Sequence, residues 1–250
     1  MIRRSLFALA FVTLSLGAMV GAEIVLALRR EYLPTSPVLD VRGTFGPRDG
    51  RPLRFVVLGD STAAGVGAGT ADLAYPTLLA RRLASDGFRV ELLGIGVSGA
   101  RVRDVLEHQV SDAMAARADL IFIGIGANDA THVTPLDAVR RDMGEVLDRL
   151  RPTGATIVVA GAPDMRAAAF HEPLRSLAGW RGRRVSDAIA AAARERGVPV
   201  VALAEETGHF FQRAPETYLS EDLFHPSAAG YEKWADAIEP VLRKALASNG

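Results

Sequence analysis

The chain has 250 residues, 49% of them hydrophobic, enough to bury a substantial core within one folded unit. Its 29 basic and 29 acidic residues give a formal net charge of zero, which removes the electrostatic case for a nucleic-acid partner. It has no cysteine, so disulfides, thiolate metal sites, a cysteine nucleophile and a lipidated N-terminal cysteine are excluded.

Arg3 and Arg4 precede an apolar run from Leu6 to Ala22, which is broken by Glu23, resumes at Ile24 to Leu28 and is closed by Arg29 and Arg30. A bilayer needs roughly 20 residues of helix, so Leu6 to Leu28 is long enough to span one, with Glu23 near an interface. Val20-Gly21-Ala22 has the small-residue pattern of a signal-peptide cleavage site. The run is long for a signal peptide, which favours an uncleaved anchor. Either way, residues 1–30 are expected to attach the chain to a membrane or to direct its export, with the folded part extracytoplasmic. Arginines at both ends leave the positive-inside rule nearly silent. Residues 31–53, rich in proline, glycine and arginine, read as a linker, and 54–250 as the folded domain.

From there apolar strand runs alternate with helical patterns. Strands are expected at Arg54–Gly59, Arg89–Leu93, Leu120–Gly124, Thr156–Gly161 and Val198–Leu203, each apolar at successive positions as a strand covered on both faces should be. Tyr75-Pro76 opens a helix carrying Leu79 and Leu83. Val102, Val105, Leu106, Val110, Ala113 and Met114 form one helical stripe. Leu136, Val139, Met143, Val146, Leu147 and Leu150 form another, opened by Thr134-Pro135. Further helices are expected at about Arg183 to Arg196 and from Pro226 to about Leu246. This alternation predicts an α/β fold: a five-stranded parallel sheet between two helical layers, a three-layer α/β/α sandwich. Ligands of such sheets bind beyond the carboxyl ends of the strands.

The residues just past those strand ends are Gly59-Asp60-Ser61, Gly94-Ile95-Gly96-Val97-Ser98-Gly99 and Gly126-Ala127-Asn128-Asp129, with Asp222-Leu223-Phe224-His225 entering the last helix. A hydroxyl, an imidazole and a carboxylate are the three parts of a serine-based acyl-transfer site. Singly, each has a structural reading: Ser61 as a turn or helix cap, Asn128-Asp129 as a turn pair, Asp222 as the cap of the terminal helix. Asp60 and Asp129 read as loop organisers through side-chain to backbone bonds.

In that order and at those strand ends, the four blocks resemble the SGNH hydrolases, the GDSL esterase/lipase family, across residues 55 to about 245. The resemblance implies that family's flavodoxin-like fold, with Ser61 as nucleophile, His225 as general base and then acid, and Asp222 fixing the imidazole tautomer. It also implies an oxyanion hole made by the Ser61 and Gly99 backbone N–H groups and the Asn128 amide. No metal or organic cofactor is implied. The expected activity is hydrolysis of carboxylic (acyl) esters of the lysophospholipase or lipase kind. An acyltransferase or a carbohydrate deacetylase on the same triad is the alternative, and a non-catalytic envelope-binding domain a more distant one.

Three other patterns carry less. Gly94-x-Gly96-x-x-Gly99 matches the dinucleotide fingerprint formally, but it follows the second strand and no acidic residue closes the next one. His108, His132, His171 and His209 lack metal-ligand spacing. The Gly-x-Ser-x-Gly elbow of α/β-hydrolases is absent. Two rim segments, Ala162 to Gly179 and Ala204 to Glu221, read as long loops whose Met165, Phe170, Leu174, Leu177, Phe210, Phe211 and Tyr218 would line a trough for an acyl chain.

Overall fold

The computed structural model describes residues 15, 17–27, 29–36 and 38–248. Eleven of the 23 residues from Leu6 to Leu28 lie outside them; among the described residues no helix is long and apolar enough to cross a membrane. The sheet is built on β2 (Arg51–Gly59), flanked by β3 (Phe88–Gly94) and β4 (Leu120–Gly124), with β5 (Thr156–Ala160) and β6 (Val200–Val201) beyond β4. These five strands run parallel. A sixth, β1 (Arg42–Phe45), pairs antiparallel with the outer edge of β3, giving the order β1-β3-β2-β4-β5-β6. The sheet therefore has six strands rather than five, and the extra one falls within the segment read as linker. Arg42-Gly43-Thr44-Phe45 alternates between exposed and half-buried positions, so it lacks the continuous apolar run that marks the inner strands.

Successive residues of the inner strands enter opposite cores, which explains their unbroken hydrophobicity. Phe55, Val57, Leu120 and Phe122 join one apolar cluster, and Val56, Leu58, Ile121 and Ile123 the other. The first cluster is closed by α1 (Tyr75–Ser85), α7 (Leu203–Arg213) and α9 (Ala228–Ser248), whose Tyr231, Trp234, Ile238 and Leu242 are buried. The second is covered by three elements. The first is α2 (Val102–Asp104), which continues through a π-helical turn (Val105–Gln109) into α3 (Val110–Ala115). The others are α5 (Leu136–Leu150) and α6 (Leu174–Arg194). A short α4 (Ala127–Thr131) follows β4, and α8 (Pro215–Tyr218) follows α7.

The two rim segments differ from expectation. Helix α6 starts at Leu174, nine residues before the predicted Arg183, and α7 and α8 fill most of 204–221. Met165, Phe170 and Phe211 are buried against neighbouring elements, while Leu177 faces solvent. Hence Met165, Phe170 and Phe211 pack inward and do not line an open trough, while Leu174, Phe210 and Tyr218 are half-buried.

At the carboxyl rim of the sheet Gly59 of β2 is the register partner of Gly124 of β4. Gly59 has φ +152°, and a Cβ there would collide with the Gly124 carbonyl oxygen. We expect Gly59→Ala to destabilise the fold by about 1–3 kcal/mol, as overpacking against rigid backbone does, read as a lowered urea midpoint at unchanged slope.

Candidate active site

Strand β2 delivers its last residue into a tight turn that exposes Ser61. Asp60 is buried and accepts hydrogen bonds from the Thr62 N–H (3.0 Å) and the Thr62 hydroxyl (2.8 Å) at the same oxygen. Burial pushes its carboxyl above the usual range despite those bonds. The Ala64 N–H donates to Asp60 O and the Val66 N–H to Ser61 O, closing the turn. Behind it the buried Gln109, the last residue of the π-helical turn, reads the Gly59 peptide group on both sides. Its Oε1 accepts the Gly59 N–H (2.9 Å) and its Nε2 donates to Gly59 O (2.8 Å).

The segment 219–226 forms a compact loop pinned by a Leu219–Pro226 bridge and by the Ser220 N–H donating to His225 O (2.8 Å). Within it Asp222 Oδ1 accepts the Phe224 and His225 N–H groups, each at 2.9 Å. Asp222 Oδ2 lies 2.6 Å from His225 Nδ1, and His225 Nε2 lies 3.1 Å from Ser61 Oγ. Asp222 and His225 are both buried. Burial is the largest single influence on Asp222 and opposes its charge. The His225 hydrogen bond and the two backbone donors outweigh it, bringing the carboxyl down to about 2. A carboxylate ionised at neutral pH only accepts, so His225 Nδ1 must carry the proton and Nε2 presents its lone pair to the Ser61 hydroxyl.

The other two rim loops meet this line from the far side. Val97 N–H donates to Gly59 O (3.1 Å), and a Cβ on Gly96 would stand 2.6 Å from the Ala63 Cβ, so the loop after β3 lies against the Ser61 turn. Gly99 adopts φ +83° in that loop. Half-buried Asn128 donates through Nδ2 to the carbonyl of Ala100, the residue after Gly99 (3.0 Å), which leaves one N–H of the amide uncommitted by that bond. Buried Asp129 accepts the Val102 N–H (3.0 Å) and so ties the same two loops together; burial raises its carboxyl too. Ser61, His225 and Asp222 thus form one hydrogen-bonded line, with the Gly99 loop against the Ser61 turn and Asn128 anchored to that loop.

Two contributors escape sequence reasoning. Gln109 looks like any polar residue on an amphipathic helix, and only the π-helical turn aims it inward. The backbone of Leu33, from the presumed linker, donates to Asp222 Oδ2 (3.2 Å), and Tyr32 stacks edge-on against Phe224 with ring centroids 5.2 Å apart. Among the histidines outside the line, exposed His132 bonds through Nδ1 to Asn128 O (2.9 Å). Asp104, Glu107 and His108 lie close enough to share a cation, but Asp104 and Glu107 already pair with Arg101 and Arg103.

A three-layer α/β/α fold with this serine, glycine, asparagine and histidine set at the carboxyl rim defines the SGNH class of proteins. Residues 57–233 match the GDSL-like Lipase/Acylhydrolase family, and the chain belongs to that family. It is 36% identical over 199 residues to the GDSL-like esterase Rv1075c of Mycobacterium tuberculosis; the alignment covers 78% of this chain and 63% of that relative's length. Similar solved folds include LAE5 from the metagenome of Lake Arreo, Spain, with TM-score 0.64 and 20% identity, covering 80% of this chain and 98% of that one. Another is Axe2, an acetylxylan esterase from Geobacillus stearothermophilus, with TM-score 0.60 and 20% identity, covering 78% and 96%.

The depressed Asp222 carboxyl links stability to pH. Its folded value of about 2 lies below the reference of about 3.9, so its stabilisation is complete above about pH 5 and fades as pH falls through 4 toward 2. The expected size is about 2 kcal/mol. In urea unfolding, the gap between wild type and Asp222→Asn should narrow as pH drops from 5 to 3; a constant gap contradicts the charge assignment.

Proposed function

We propose that the protein is a serine esterase hydrolysing carboxylic acyl esters, with Ser61 as nucleophile, His225 as base and Asp222 as the residue that orients and stabilises the imidazole. The observation that carries this is the continuous line from Ser61 Oγ to His225 Nε2 at 3.1 Å and from His225 Nδ1 to Asp222 at 2.6 Å. Serine is a weak nucleophile until a neutral imidazole takes its proton, and the ionised Asp222 fixes the tautomer that can do so. As Ser61 Oγ attacks the ester carbonyl, His225 accepts its proton and negative charge develops on the carbonyl oxygen. We assign the Ser61 N–H, the Gly99 N–H and the free N–H of the Asn128 amide as its donors. Collapse expels the alcohol, protonated by His225. Water activated by the same imidazole then releases the acid and restores Ser61.

We extend the reading to esters with an apolar arm, of the lysophospholipase or lipase kind. An N-terminal segment hydrophobic enough to meet a membrane supports that choice, and on the same ground we propose that the domain is extracytoplasmic.

Ser61→Ala should abolish p-nitrophenyl ester turnover and fluorophosphonate labelling while leaving the unfolding midpoint near that of wild type; persistent activity refutes the assignment. Asn128→Ala should lower kcat by about 10²–10³ with KM little changed. For the N-terminal segment, sequencing of the chain from membrane and secreted fractions should find an intact start in the membrane; a mature chain beginning at Glu23 in the secreted fraction rejects the anchor.

A further inference from the structure

A cleft of about 480 Å³ opens beside the Ser61 turn, within the usual range for small-molecule sites. Its floor is the stretch Ala64 to Gly67, one wall is formed by Leu33, Val38 and Leu39, and Ser98 and Ser220 stand opposite. Each border abuts a residue assigned to the chemistry: the floor continues the turn that Ser61 opens, Ser98 precedes Gly99, and Ser220 shares its loop with Asp222 and His225. The surface is mainly apolar. The Ser220 hydroxyl is already directed at Gly67 O and Pro226 O, so it offers a ligand no donor.

The N-terminal wall is held in place by contacts to the site. Leu33 N–H reaches Asp222, Tyr32 packs on Phe224, and the Leu39 side chain lies 3.2 Å from where a Cβ on Gly65 would stand. These wall residues precede the part of the chain matched by the family, 57–233. We propose that Leu33, Val38 and Leu39 form one wall of a substrate subsite that takes the apolar arm of the ester and limits its length. This rests on the esterase reading above. A linear hydrocarbon arm suits a mainly apolar groove walled by Leu33, Val38 and Leu39 and bordered by Ala64, Gly65, Val66 and Gly67.

The test uses the full chain with Val38→Trp, which adds bulk at an exposed position of the wall, and Met114→Trp, the same bulk at an exposed position on the opposite rim, as its control. Two ester series are compared: p-nitrophenyl esters from acetyl to dodecanoyl, and acetates of straight-chain alcohols of the same lengths. We expect Val38→Trp to lower kcat/KM for the long members of one series by about tenfold, chiefly through KM, with the shortest acetates within about twofold of wild type. The series that responds identifies the arm as acyl or alcohol. The Met114→Trp variant should keep wild-type turnover of long esters. Equal loss for short and long esters, or no change in either series, overturns the subsite while leaving the esterase intact. A wild-type chain that hydrolyses no ester and leaves Ser61 unlabelled overturns the esterase reading and the subsite with it.

Discussion

Asp222 keeps a negative charge out of water, and the geometry of the rim follows from how that charge is held. A buried carboxylate without partners would take up a proton instead of staying ionised. Here the Phe224, His225 and Leu33 N–H groups and the His225 ring all point at its two oxygens. Three of the four donors come from within three residues of Asp222 itself, so the loop that carries the acid also solvates it. That arrangement leaves the imidazole one orientation, with Nε2 toward Ser61. The fourth donor comes from a segment almost two hundred residues away in sequence, which makes the start of the described chain a partner of the site.

The nucleophile is held by a different device. Strand β2 runs past the end of β3, so the Gly59 peptide group loses its strand neighbour on that side while remaining paired to β4. The Gln109 amide fills the gap, donating and accepting as a peptide group would, and the Val97 N–H shares the same carbonyl. A buried peptide left unpaired here would cost about 1–3 kcal/mol. It would also loosen the strand end two residues before Ser61. Asp60 and Asp129 tie down the loops, Asp60 by accepting the Thr62 N–H and hydroxyl at one oxygen and Asp129 by accepting the Val102 N–H.

Most of this architecture was legible in the sequence because both faces of the sheet are buried. Phe55 to Leu58 and Leu120 to Ile123 read as strands since every position must be apolar when alternate side chains enter separate cores. The four rim blocks were legible because each follows such a strand or enters a helix. What was missed has physical causes. Edge strand β1 is half-solvated, so Arg42 and Thr44 face water and disguise it as linker. Helix α6 begins right after Pro173, where Leu174 to Gly182 carry no stripe of large apolar residues, so periodicity emerges only later in the helix. The supposed trough failed for a related reason: composition shows that a segment is apolar, but Met165, Phe170 and Phe211 satisfy that by packing inward. Gln109 and Leu33 act through a π-helical turn and a backbone N–H, neither of which leaves a mark on residue type.

A cleft larger than the one beside Ser61, of about 830 Å³, lies at the opposite rim, between the starts of β2 and β4. Size alone would have chosen it. Its charged centre is the Arg54–Asp119 pair, in which the Arg54 side chain and backbone N–H donate to both oxygens of the carboxylate. Hydrogen bonding to Arg54 holds the Asp119 carboxyl below its usual range, so it is poorly suited to act as a base, and both partners are substantially exposed. No hydroxyl–imidazole pair borders it. The smaller cleft adjoins a buried, donor-rich carboxylate that fixes an imidazole against a serine. Parallel strands gather their loops and helix starts at that carboxyl rim, so residues distant in sequence can converge there on one reacting atom. Convergence of groups with complementary protonation states, more than volume, marks where this fold performs chemistry.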